Sequence, residues 1–165
     1  MYQTTLKEMK NLLKNSILFI VVTLLPVACT ENIVYHSYRY ISKKGWNRDD
    51  TLTFDIQISD STPTHYHLYA QVRNRTDYPY QNLLLSINHN LQDSSVVVTD
   101  TVRCILANEV GRWTGKGWGS LFQATFDIGE YTSLNPAGMR TVRVIHCMED
   151  ETLTGINDIG IRIKN

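Results

Sequence analysis

The chain of 165 residues has no long apolar run, no excess charge of either sign, no internal repeat and only three cysteines. Each shortage excludes something. The longest apolar stretch, Ile17 to Leu25, is far short of the ~20 residues a helix needs to cross a bilayer. Sixteen Lys and Arg balance sixteen Asp and Glu, so the electrostatic footprint of a nucleic-acid binder is missing. The lack of repeats argues against a propeller or solenoid. No segment carries a 3.6-residue apolar stripe, which leaves no amphipathic helix to build a bundle from. There is no G-x-S-x-G nucleophile elbow and no glycine-rich loop leading into a helix, so neither hydrolase nor nucleotide-phosphate chemistry has its usual scaffold.

What is present first is an export signal. Lys7, Lys10 and Lys14 precede residues 16–29, SILFIVVTLLPVAC, a short apolar core that ends in a small residue and a cysteine. This layout resembles a bacterial lipoprotein signal, in which the cysteine is acylated and becomes the mature N-terminus. Leu25 sits one position earlier than the lipobox pattern asks, with Pro26 in its place. Met9-Lys10-Asn11 would itself open a compact signal, so residues 1–8 read as an upstream extension. The expectation is therefore a signal over residues 1–28, lipidation at Cys29 and a single domain over residues 30–165. Removing residues 1–28 leaves 13 basic against 15 acidic side chains, a formal charge of −2. Without a basic stripe, attachment to a bilayer rests on the acyl chains of Cys29.

Beyond residue 51 the pattern is period two. Leu52, Phe54, Ile56 and Ile58 form one apolar set; Tyr66, Leu68, Ala70 and Val72 the next. Phe122, Ala124, Phe126 and Ile128 follow, then Val142, Val144, His146 and Met148, and finally Ile159, Ile161 and Ile163. The alternation places Phe54, Leu68 and Phe126 in a core and leaves Gln57, Gln71 and Gln123 on tolerant outer faces. Leu83-Leu84-Leu85 and Val96-Val97-Val98 are continuous runs that read as strands covered on both sides. Turn-forming clusters separate these segments. About eight short antiparallel strands in a single all-β domain predict a β-sandwich.

The most unusual composition is Gly111-Arg112-Trp113-Thr114-Gly115-Lys116-Gly117-Trp118-Gly119. Its tryptophans either cap the sandwich or form a binding lip; on the second reading Trp113 and Trp118 are apolar anchors with Arg112 and Lys116 as a charged rim. His65 and His67 share a strand face, a metal pair in principle, but no third ligand lies near them in sequence and no metal site is expected. Asp49-Asp50 and Glu149-Asp150-Glu151 read as turn carboxylates. Cys104 and Cys147 are the right number for one disulfide in an oxidising compartment, yet strand parity places Cys104 inward and Cys147 outward, which favours two separate thiols.

Several stretches together resemble the gliding-motility lipoprotein GldH family of the Bacteroidetes. They are Trp46 with Asp49-Asp50, then Asp77-Tyr78-Pro79-Tyr80-Gln81-Asn82-Leu83, Asp100-Thr101, Gly111 through Gly117, and Leu153-Thr154-Gly155-Ile156-Asn157-Asp158-Ile159-Gly160-Ile161-Arg162. The resemblance implies an envelope lipoprotein accessory to gliding and to the linked type IX secretion machinery. It implies no enzymatic activity, no catalytic residue and no cofactor, with protein partners belonging to that apparatus. Some surface-displayed lipoproteins of these bacteria carry several acids after the cysteine. Thr30-Glu31-Asn32 has one, which favours the periplasmic face of the outer membrane. The competing expectation is a glycan- or peptidoglycan-binding module that stacks sugars on Trp113 and Trp118.

Overall fold

The alternating segments pair into two antiparallel sheets that share one core. The computed structural model describes residues 32–59, 61, 62 and 64–165. The signal segment and Cys29 lie outside the described residues, as do Asp60 and Pro63 of one expected turn. In chain order the strands are β1 (Ile33–Tyr40), β2 (Trp46–Asn47), β3 (Leu52–Ile58), β4 (Thr64–Arg75), β5 (Asn82–Asp93), β6 (Val96–Ile105), β7 (Lys116–Trp118), β8 (Leu121–Ser133), β9 (Gly138–His146), β10 (Thr152–Leu153) and β11 (Ile156–Lys164). Eight of them have seven residues or more, and no helix occurs among the described residues. One sheet has the order β1-β11-β4-β8-β7 and the other β3-β9-β5-β6, while β10 and β2 form a small ribbon. The all-β sandwich follows from the period-two pattern, because each strand has one face to hide and the facing sheet hides it.

The core consists of the predicted inward sets. Phe54 and Ile56 of β3, Leu68, Ala70 and Val72 of β4, Val142 and Val144 of β9, and Ile159, Ile161 and Ile163 of β11 are all buried. The ribbon seals Trp46, whose Nε1 donates to the Asp50 carbonyl over 2.8 Å. His146 Nε2 in turn donates to the Trp46 carbonyl over 3.0 Å.

Four expectations are corrected. Val96, Val97 and Val98 are not covered on both sides: β6 is an edge strand, and Val96 and Val97 are exposed. Leu83 and Leu85 are buried, but Leu84 between them is only half-buried. Phe126 packs against the core and is also only half-buried. Gln71, placed by parity on a tolerant outer face, has 3% of its surface exposed because neighbouring side chains cover it. Cys104 is buried and Cys147 exposed, and both are free thiols, as strand parity predicts. Burial pushes the Cys104 thiol up to about 12, so it stays protonated and unreactive at neutral pH.

The registers also order the two ends of the larger sheet. Ile33 pairs with Lys164, Lys164 with His67, and His67 with Glu130. Trp118 pairs with Leu121, and Leu121 with Arg75. Eight residues along β4 separate the two rows, about 26 Å at ~3.3 Å per residue. The described chain therefore begins at one end of this sheet and presents Trp118 at the other.

Candidate functional site at the tryptophan end

The loop that holds the tryptophans is built by backbone hydrogen bonds. Leu106 and Ala107 donate their N–H groups to the Gln81 carbonyl, which docks the end of β6 beside the start of β5. Asn108 Oδ1 accepts from the N–H groups of Val110 and Arg112, at 3.2 and 2.8 Å, and so closes a tight turn. Thr114 N–H returns to the Leu106 carbonyl, and its hydroxyl reaches the Ile105 carbonyl over 2.7 Å. The chain then runs into β7 and reverses through Gly119-Ser120 onto β8. Gly119 has φ 64° and Ser120 lies on the ordinary negative side, a type II′ hairpin turn whose first central position favours glycine. Thr76 N–H donates to the Ser120 carbonyl over 3.1 Å and ties the tip to the loop after β4.

This architecture separates the two indoles. Trp113 is half-buried, packs on the core and lies 5.9 Å from the Phe122 ring, so it caps the sandwich. Trp118 is 96% exposed at the hairpin tip. Burying a large apolar side chain is favourable by on the order of 2–3 kcal/mol, and the isolated chain leaves that unrealised at Trp118. Arg112 and Lys116 are exposed. Neither they nor Arg103 has an ion pair among the described residues. Ile105 and Val110, at the same end, are exposed as well. A hairpin tip with an exposed indole, beside cations that have no ion pair among the described residues, has the chemistry of an interaction surface. A two-tryptophan sugar platform is not formed, because only one indole is free.

The remaining chemical candidates resolve into structural contacts. His67 Nε2 pairs with Glu130 at 2.9 Å, and His65 shares a 2.9 Å hydrogen bond with Thr132. No group of three potential metal ligands occurs among the described residues. The Asp50 carbonyl serves Trp46, and Asp150 accepts from the Tyr80 hydroxyl at 2.7 Å. Arg48 donates to the carbonyls of Met148 and Glu149. Between the sheets, His89 Nε2 donates to Asp100 Oδ2 over 3.0 Å, and His89 Nδ1 accepts from Leu91 N–H over 3.4 Å. That pattern needs a neutral ring, and burial of His89 lowers its pKa accordingly. His146 is likewise lowered by burial.

One cluster was not legible as such in the sequence. On the outer face of the larger sheet, Gln71 Oε1 accepts from His36 at 2.6 Å and from the Tyr38 hydroxyl at 2.7 Å, while its Nε2 donates to Thr125. The Arg73 guanidinium sits 3.8 Å above the Tyr38 ring and 3.6 Å from Asp158. Tyr38 lies flat on Gly160, where a Cβ would come within 2.5 Å of the ring. The lone carboxylate in an isoleucine-rich strand, Asp158, is the signal that could have pointed to it.

Comparison with known proteins gives a consistent result. The family model described as GldH lipoprotein matches residues 33–163. A protein named gliding motility lipoprotein GldH homolog, from Christiangramia forsetii, is 28% identical over 89% of this chain and 93% of its own. The gliding motility lipoprotein GldH of Flavobacterium johnsoniae is 26% identical over 92% of this chain and 97% of its own. Among solved structures, a family 35 carbohydrate-binding module from Clostridium thermocellum covers 76% of this chain and 97% of its own, at 10% identity and a TM-score of 0.35. A score that low says nothing about ligand or activity.

Proposed function

We propose, from the premise that this chain belongs to the GldH lipoprotein family, that it is a membrane-anchored envelope lipoprotein which serves gliding motility and the linked type IX secretion machinery by holding a partner protein rather than by catalysis. The family and its named relatives support the lipoprotein and gliding parts of this reading. On this reading Cys29 carries the acyl anchor, on the periplasmic side of the outer membrane. The observation that carries the partner-holding part is Trp118, 96% exposed at a hairpin tip on the opposite end of the sheet from Ile33.

The test is a deletion strain complemented with the full chain and with Cys29→Ala. The proposal expects the deletion to lose export of type IX cargo, or gliding where the host glides, and expects Cys29→Ala to release the protein from the membrane fraction and fail to restore either. Palmitate label retained on Cys29→Ala would refute the anchor. Normal export and motility in the deletion strain would refute the role.

A further inference from the structure

The two flanks of the sandwich differ. On the flank formed by β1 and β3, Arg39 Nε donates to the Thr53 carbonyl over 2.9 Å and its guanidinium lies 5.0 Å from the Phe54 ring, so that edge is bridged and its core covered. On the flank formed by β6 and β8, among the described residues β7 pairs with β8 only at Leu121, Phe122 and Gln123. Among the described residues no strand pairs with the outer edge of β8 from Ala124 onward. Among the described residues the edge of β6 also has no neighbouring strand on the same flank, up to Ile105, whose carbonyl accepts from the Thr114 hydroxyl. The opening is bounded by the crossing chain at Thr114 and Gly115 and by the Tyr131 hydroxyl, which donates to Asp100 over 2.8 Å. Between these limits lies a cleft of about 700 Å³ lined by Ile105, Gly115, Lys116, Ala124, Thr125 and Phe126. Val102, Ala124, Phe126 and Ile128 pack on the core yet remain only partly buried. Phe126 itself stays paired opposite Ala70, and among the described residues no strand lies along its outer edge, which leaves it half-buried; two residues on, β8 bulges at Ile128, where its pairing with β4 steps from Asp127 to Gly129.

We infer that this flank receives an extended segment of a partner polypeptide, added as a strand to the outer edge of β8 in line with β7, with apolar side chains at alternate positions over Phe126 and an acidic residue toward Lys116. An unpaired strand edge offers backbone donors and acceptors, and alternate side chains of the incoming strand read the pockets beside it. Between Ala124 and Asp127, up to the bulge at Ile128, the edge carries no lysine or proline that would repel a strand, only Asp127. Charge sets the orientation. Among the described residues Arg103, Arg112 and Lys116 have no ion-pair partner; Lys116 lines the cleft and Arg103 shares a neighbouring pocket with Glu109, so complementarity calls for acid in the segment at that end. The inference rests on the partner-holding reading and adds the manner of binding.

The test places a photo-cross-linking residue at position 125, 127 or 118 of the full chain in intact cells, with position 57 on the opposite flank as control. The expected result is that positions 125 and 127 each cross-link to one stretch of about ten residues in a single protein, that this stretch is extended and contains acidic residues, and that position 57 yields no product. Cross-links from 125 and 127 only to a second copy of this chain, only to lipid, or scattered over a partner's folded surface would overturn strand addition. Product from 118 without product from 125 and 127 would overturn strand addition while leaving the partner-holding reading intact. Absence of product from all three would overturn both.

Discussion

The Tyr131 hydroxyl donates to Asp100 Oδ2 over 2.8 Å, joining β8 of one sheet to β6 of the other beside the open flank. His89 donates to the same oxygen at 3.0 Å, and its ring meets Tyr131 edge-on at 4.2 Å. Burial, and then the bond to Asp100, push the Tyr131 hydroxyl well above its ordinary range, so it remains a donor. Tyr131→Phe is expected to cost about 1–3 kcal/mol, because it leaves a half-buried carboxylate short of one partner. Chemical denaturation of the purified protein checks this, and a loss below about 0.5 kcal/mol would show that the tie is not maintained.

Acid sensitivity follows from the same region. His89 and His146 are held below the ordinary imidazole pKa by burial. Their folded-state pKa values lie under their unfolded values, so the unfolded chain takes up protons first as pH falls. The stability they contribute is complete above about pH 6.5 and declines as pH falls through and below that value. Thermal melts at pH 7.5 and 5.5 are expected to show the lower midpoint at 5.5, and the His89→Asn variant a smaller difference between the two. A midpoint that rises on acidification would contradict the burial argument.

Outer-face position and tolerance part company at Gln71. Gln71→Ala is expected to cost about 1–3 kcal/mol, since it strands the hydrogen bonds from His36 and Tyr38. Gln57, exposed on β3, should accept Ala at about 0.5 kcal/mol or less. In the interior, Phe54→Ala and Leu68→Ala should each cost about 2–5 kcal/mol, with Phe126→Ala below both because its side chain is half solvated already.

Alternation made β3, β4, β8, β9 and β11 and most of the core readable, because a single buried face leaves a direct trace in period two. The departures share one cause. Gln71 is engaged by His36 and Tyr38, with Arg73 stacked on Tyr38 and facing Asp158; the β1 and β11 residues are remote from Gln71 in sequence and brought to it by the order β1-β11-β4. Phe126 and the three valines of β6 depend on which strands lie at an edge, and strand order leaves no local trace. The loop at 111–119 was recognisable from its composition. Its division into a buried cap and a free tip was not, since that depends on where the II′ turn falls.

That division gives a separate prediction for the cap. Trp113→Ala should destabilise the domain by about 2–4 kcal/mol, through the cavity it leaves beside Phe122. Trp118→Ala should leave the melting temperature nearly unchanged, because the indole touches little of its own chain. Equal losses for the two would mean that Trp118 packs like Trp113.

The most direct test of the central claim is complementation of a deletion strain with Trp118→Ala, reading protein abundance and type IX export, or gliding, in the same cells. If Trp118 is the tip that holds a partner, the variant should be present at wild-type level and restore neither export nor movement. Full restoration by Trp118→Ala at that level would contradict the account.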